Sequence, residues 1–79
     1  MDERELTFGE KAVGLTFNPS NDPNVQAVKE AFAKAIDLCA NLKPAYDGKP
    51  NEKSRMFAIA ITEAQTAQMW AVKAITWKE

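Results

Sequence analysis

Four side chains could offer chemistry to a ligand: the rings of Phe8 and Phe17 and the cations of Lys29 and Arg55. Aromatic faces stack on nucleobases for about 1–3 kcal/mol per base, and an arginine fork grips phosphate oxygens in pairs. Arg55 falls near the start of a helix, where backbone N–H groups without helical partners already favour an anion. Pairing with Glu52, three residues earlier, is the competing use of the same guanidinium. Lys29, in the first half of another helix, is either an anion contact or an ordinary solvated lysine. Phe8 and Phe17 divide between stacking and packing in the same way, whereas core packing is the stronger reading for Trp70 in mid-helix.

Catalysis finds no comparable support. The sequence contains no histidine, so a nucleophile would need a lysine or carboxylate base, and no Ser, Thr or Cys stands in a motif that suggests one. One cysteine and no histidine also remove the usual zinc and iron ligand sets, so no metal and no cofactor is expected. Cys39 reads as a small hydrophobe on an apolar stripe. Gly9 and Gly14 form neither a P-loop nor a dinucleotide fingerprint, and backbone freedom in a folded-back arm is the better account of them. Ten Lys and Arg against eleven Asp and Glu leave no long-range field for polymeric nucleic acid. A few placed cations can still hold a small anion. The acidic start Met1-Asp2-Glu3-Arg4-Glu5 leads into no signal or membrane-spanning stretch, and the lone thiol fits a reducing compartment. A cytoplasmic binder is expected, not an enzyme.

The elements that must carry these groups are helical. Residues 1–22 read as an extended or looped arm with apolar anchors at Leu6, Phe8, Val13, Leu15 and Phe17, the last three in strand-like alternation. Asp22-Pro23 is a helix start signal. Val25, Val28, Phe32, Ile36, Cys39 and Leu42 then recur at steps of three or four, with Lys29, Glu30, Lys34 and Asp37 off that stripe. This predicts helix 1 over about residues 23–43, ended by Pro44. A loop over about residues 44–51, with Asp47-Gly48 and Pro50, reverses the chain into helix 2 over about residues 52–76.

Helix 2 has two apolar rows. Met56, Ile59, Ala60, Ala67, Trp70, Ala74 and Trp77 make one; Phe57, Ile61, Ala64, Ala71, Val72 and Ile75 make the other. A two-helix hairpin covers only one of them, so the second must meet another subunit or stay exposed. Six alanines, at 58, 60, 64, 67, 71 and 74, would let helix backbones approach closely. Glu63, Gln65 and Gln68 are either a solvated strip or a polar layer between subunits that fixes register. A chain this short also has a thin core, and oligomerisation is its remaining route to stability. The expected fold is all-α: one antiparallel two-helix hairpin domain with a short N-terminal arm, assembled into a homo-oligomer.

Particular strings add a family resemblance. Phe8-Gly9-Glu10-Lys11-Ala12-Val13-Gly14-Leu15-Thr16-Phe17-Asn18-Pro19-Ser20, the pair Val28-Lys29, and Arg55 leading into Ala58-Ile59-Ala60-Ile61-Thr62 and Ala67-Gln68-Met69-Trp70-Ala71-Val72-Lys73-Ala74 resemble phage anti-CBASS cyclic-nucleotide sponges. The hairpin domain shared with anti-Thoeris sponges looks similar too, and the likeness runs from Phe8 to Trp77. It implies a homohexamer that sequesters cyclic dinucleotides such as cyclic GMP-AMP between paired protomers, and cyclic trinucleotides at separate three-fold sites, without cleaving them. A CBASS effector in the infected host would then stay inactive.

The resemblance also implies residue roles. The aromatic that stacks a base just before helix 1 matches Phe17, and the lysine that contacts phosphate matches Lys29. Phe17 stands where the family has tyrosine, and the turn from Asn18 to Pro23 changes the spacing, so Phe8 is the other candidate for the ring. The arginine that opens helix 2 and meets trinucleotide phosphates matches Arg55. Two other readings remain from the residues themselves: a protein-interaction module that docks a host protein through the exposed face of helix 2, and a structural oligomer without a small ligand.

Overall fold

The computed structural model describes residues 5–78, which form three helices: α1 (Phe8–Ala12), α2 (Pro23–Leu42) and α3 (Glu52–Ile75). Residues 1–4 of the expected arm and Glu79 lie outside the described residues. The Asp22 side chain accepts the Asn24 N–H at 2.8 Å, and Pro23 occupies the first turn of α2. These two residues satisfy or remove backbone donors that a helix start leaves without partners. Lys43 turns extended ahead of Pro44, as the residue before proline must, and α2 stops at Leu42. In the connection Gly48 takes φ +92°. Asn51 then caps α3, accepting the Ser54 N–H at 3.0 Å, while the Ser54 hydroxyl donates to the Pro44 carbonyl at 3.1 Å.

The arm differs from its sequence-based expectation. No strand occurs among the described residues, and the segment expected to be extended or looped contains a helix. Thr7 and Glu10 make a reciprocal capping box: the Glu10 N–H donates to Thr7 Oγ1 at 3.1 Å and the Thr7 N–H donates to Glu10 Oε1 at 2.8 Å. These local bonds prevail over the short alternation Val13, Leu15, Phe17. After Ala12 the chain turns, with Gly14 at φ +63° and the Leu15 N–H donating to the Glu10 carbonyl at 3.0 Å. Val13 and Leu15 are both buried by this turn rather than by a strand face.

Helix α2 is the central element, packed by both α1 and α3. Ile36 is wholly buried in a core with Val13, Leu15, Ala33 and Ile61, and Cys39 is half-buried against it. The approach of α1 to α2 depends on Gly9: a Cβ at that position would lie 2.1 Å from the Ala33 carbonyl oxygen. Across the same contact the Asp37 carboxylate accepts the Gly9 N–H at 2.6 Å and the Thr7 hydroxyl at 2.7 Å. Asp37 thus completes the hydrogen bonding of a helix too short to be stable alone. Measured across its Cα atoms, the protein is a slab of 48 × 36 × 13 Å.

The two apolar rows of α3 separate. Ile61 is buried and Phe57, Ala64, Ala71, Val72 and Ile75 are half-buried, whereas Met56, Ile59, Ala60, Ala67, Trp70, Ala74 and Trp77 are all exposed. Trp70, whose stronger reading was core packing, is 65% exposed in the protomer, because the hairpin fills its interior with the other row. The polar trio also divides: Glu63 is exposed, Gln65 half-buried and Gln68 buried.

Candidate functional site

Lys29 lies one helical turn before Ala33 on the face of α2 that meets the arm, and it is 5% exposed. The expectation of a solvated lysine off the apolar stripe is corrected here, because the arm folds back over that face. Its ammonium donates to the Gly14 carbonyl at 2.9 Å and to the Phe17 carbonyl. It also sits 5.5 Å from the centroid of the Phe17 ring, within cation–π range. Burying an ammonium is costly unless its donors are satisfied, and two of its three N–H groups have carbonyl acceptors.

Phe17 itself is 70% exposed. Its N–H donates to the Gly14 carbonyl at 2.9 Å, so its backbone is tied at both its amide and its carbonyl. Beyond it, Asn18 Nδ2 donates to the Asp22 carbonyl at 3.1 Å and the Ser20 hydroxyl donates to Asn18 Oδ1 at 2.7 Å. The Asp22 N–H donates back to the Ser20 hydroxyl at 3.1 Å. Asn21 adopts φ +56°, a left-handed conformation that asparagine tolerates. The result is an outward-facing ring on a braced turn, with a cation beneath it.

Phe8 is placed differently. It opens α1, between Thr7 and Gly9, which are both bonded to Asp37. Asp37 lies eight residues along α2 from Lys29, about 12 Å at the helical rise. The fold brings Phe17, and not Phe8, against Lys29.

Arg55 stands in the first turn of α3, at the connection end of the hairpin, about 20 Å along α2 from the level of Lys29. Its Nε donates to Glu52 Oε1 at 2.9 Å, and a second N–H donates to the other carboxylate oxygen. The pairing with Glu52 is therefore the one made. The side-chain hydrogen bond from Arg55 holds the Glu52 carboxyl below the usual carboxylate range, and the same bond raises the arginine. Both side chains are more than half exposed, so water competes with the pair.

The exposed row of α3 ends in an open apolar hollow lined by Trp70, Lys73, Ala74 and Trp77, where the Lys73 ammonium lies 5.3 Å from the Trp70 ring. Among the described residues no cluster of His, Cys, Asp and Glu is arranged to hold a metal ion, and no helix is long and apolar enough to cross a membrane.

The sequence marks Lys29 and Phe17 as candidates, but not what joins them to the fold. Asp37 and Gly9 went unrecognised as the contact that docks α1, although Thr7 followed by Glu10 three residues later was a legible helix start. The burial of Lys29 had no local signal, since its acceptors come from 12 and 15 residues away.

Comparison with curated proteins and with solved structures returns no match. The family model described as Acb2/Tad1, hairpin domain, matches residues 10–76, from α1 through the last residues of α3. That span includes the Phe17 turn, Lys29 and Arg55. With the whole α2–α3 hairpin inside the match, the chain belongs to the Acb2/Tad1 hairpin family, that of the anti-CBASS and anti-Thoeris sponges.

Proposed function

We propose that this protein is a phage anti-defence sponge that binds cyclic dinucleotides such as cyclic GMP-AMP and sequesters them without cleavage in the cytoplasm of the infected host. CBASS effectors are then left without their activator. The observation that carries the reading, beside family membership, is the Phe17 ring exposed on a braced turn above the Lys29 ammonium. A base stacks on the ring, with the Lys29 ammonium beneath it; Phe8, which opens α1, is the other candidate for the stacking ring. In the proposed homohexamer the exposed α3 row is covered by neighbouring subunits. Arg55 side chains meeting around a three-fold axis would repel one another, and a cyclic trinucleotide with three phosphates would relieve that repulsion.

Calorimetric titration of cyclic GMP-AMP and of cyclic tri-AMP, followed by chromatography of heat-released ligand, tests this. Binding with recovery of intact ligand is expected. Degraded ligand would overturn the non-enzymatic reading. Absence of binding by any cyclic nucleotide at high micromolar concentration would favour the alternative in which the exposed row Met56, Ile59, Trp70 and Trp77 docks a host protein.

The Glu52–Arg55 pair adds a prediction for the trinucleotide site. A carboxylate already occupying the guanidinium competes with ligand phosphate, so Glu52→Gln should tighten cyclic tri-AMP binding by up to about fivefold at neutral pH. In the wild-type protein the competition persists down through the ordinary carboxylate range, because the Glu52 value is lowered, and is relieved only as pH falls through that lowered value. Titrations at a series of pH values would check this. Weaker binding by the Gln variant would make Glu52 a support for Arg55 instead of its competitor.

A further inference from the structure

We propose that Lys29 is the positioning residue for the Phe17 platform: its buried ammonium fixes the turn from Gly14 to Phe17, and its main contribution to ligand binding passes through that turn. The part concerning ligand rests on the function proposed above; the part concerning the turn does not.

An exposed ring keeps one direction only if something other than packing holds it. Phe17 is 70% exposed, so burial does not fix it. Its backbone does: the N–H is bonded to the Gly14 carbonyl and the C=O receives the Lys29 ammonium. The same ammonium binds the Gly14 carbonyl, so one cation closes both ends of the turn and faces the ring as well. Lys29 is 5% exposed and two of its three donors are committed. A phosphate must therefore compete with two carbonyls for a side chain that the arm already covers. Platform and cation are mutually dependent. Without the arm the ammonium would lose its acceptors, and without the ammonium the Phe17 carbonyl would lose this donor and the Gly14 carbonyl would keep only the Phe17 N–H. Ordering the platform before ligand arrives removes that cost from binding.

Lys29→Met keeps a stem of similar bulk and deletes the charge. Hydrogen exchange on the ligand-free protein should show the hydrogen-bonded amides of the 14–21 segment, those of Gly14, Leu15, Phe17 and Asn21, losing protection by about tenfold or more, with those around Ile36 and Ile61 unchanged. Affinity for cyclic GMP-AMP should fall by about tenfold, with the salt dependence of binding preserved. In a double-mutant cycle with Phe17→Ala, the double variant should bind no more weakly than Phe17→Ala alone. A purely structural role would not produce that non-additivity.

Native protection at 14–21 together with weakened binding, a flattened salt dependence and additivity with Phe17→Ala would overturn the proposal and make Lys29 a direct phosphate contact. If Lys29→Met loses protection throughout, Lys29→Arg decides, since its fork retains the charge and can still reach carbonyl acceptors. Affinity that follows protection at 14–21 supports the proposal; affinity lost with native protection refutes it. If the wild-type protein binds no cyclic dinucleotide, the proposed function fails, while hydrogen exchange still decides whether Lys29 holds the turn.

Discussion

Gly9→Ala should destabilise the protein by about 3 kcal/mol, a large part of what a domain of this size has available. In a solvent-facing helix the same substitution normally stabilises, by up to about 1 kcal/mol. Here the sign reverses because the added methyl would lie 2.1 Å from the Ala33 carbonyl oxygen, a main-chain atom in the middle of α2, and 2.9 Å from Asp37 Cγ. Neither helix can yield cheaply. If α1 lifts away, the bonds from Thr7 and Gly9 to Asp37 are lost, and the burial of Val13 and Leu15 loosens with them. Urea denaturation checks the prediction, with Gly48→Ala as the comparison. A methyl on Gly48 would meet nothing within 4 Å, but the residue holds φ +92°, so that variant should cost only about 1 kcal/mol. A Gly9→Ala protein as stable as wild type would mean that α1 does not sit this close to α2.

That contact also marks the boundary of what could be read from the chain. Asp22-Pro23 signals the start of α2, Pro44 its end, and the two rows of α3 are visible as periodicity, because each depends on residues within a few positions of one another. The five-residue helix Phe8–Ala12 is shorter than two turns and shows no apolar period, so an extended or looped arm is the reading there, and the looped alternative holds only from Val13 onward. Its docking depends on Asp37, 28 and 30 residues away from the groups it accepts. At the site, Phe17 and Lys29 were legible as residue types suited to a base and a phosphate. Their juxtaposition, the burial of the lysine and the bracing from Asn18 to Asp22 came only with the folded arm. Arg55 shows the converse, since both partners of its pair lie within one helical turn.

Trp70→Glu should break the proposed assembly. Trp70 and Trp77 are 65% and 64% exposed in the protomer, on a row whose other members are apolar or small. In an oligomer that covers this row, a tryptophan is the kind of side chain that carries at least about 2 kcal/mol of association. Glutamate would add a carboxylate without a partner to the same interface. Association should weaken by more than about thirtyfold, read by sedimentation as a fall from a multiple of 8.8 kDa towards 8.8 kDa. Tyr46→Glu makes a suitable comparison: that ring is still more exposed, but it lies in the α2–α3 connection and not on the row, so mass should not change. A wild-type protein sedimenting at the protomer mass would refute the assembly itself.

A slab only 13 Å thick across its Cα atoms has two broad surfaces and a small interior. In the proposed assembly much of the water-free volume is created where slabs meet, so the native population depends on how much of the chain is present. In that assembly, capacity to absorb a messenger would rise steeply above a threshold of expression instead of in proportion to it. A messenger held between subunits would lower that threshold, because a ligand that binds only the assembled form draws subunits towards it. The alarm signal would thus help to build its own trap.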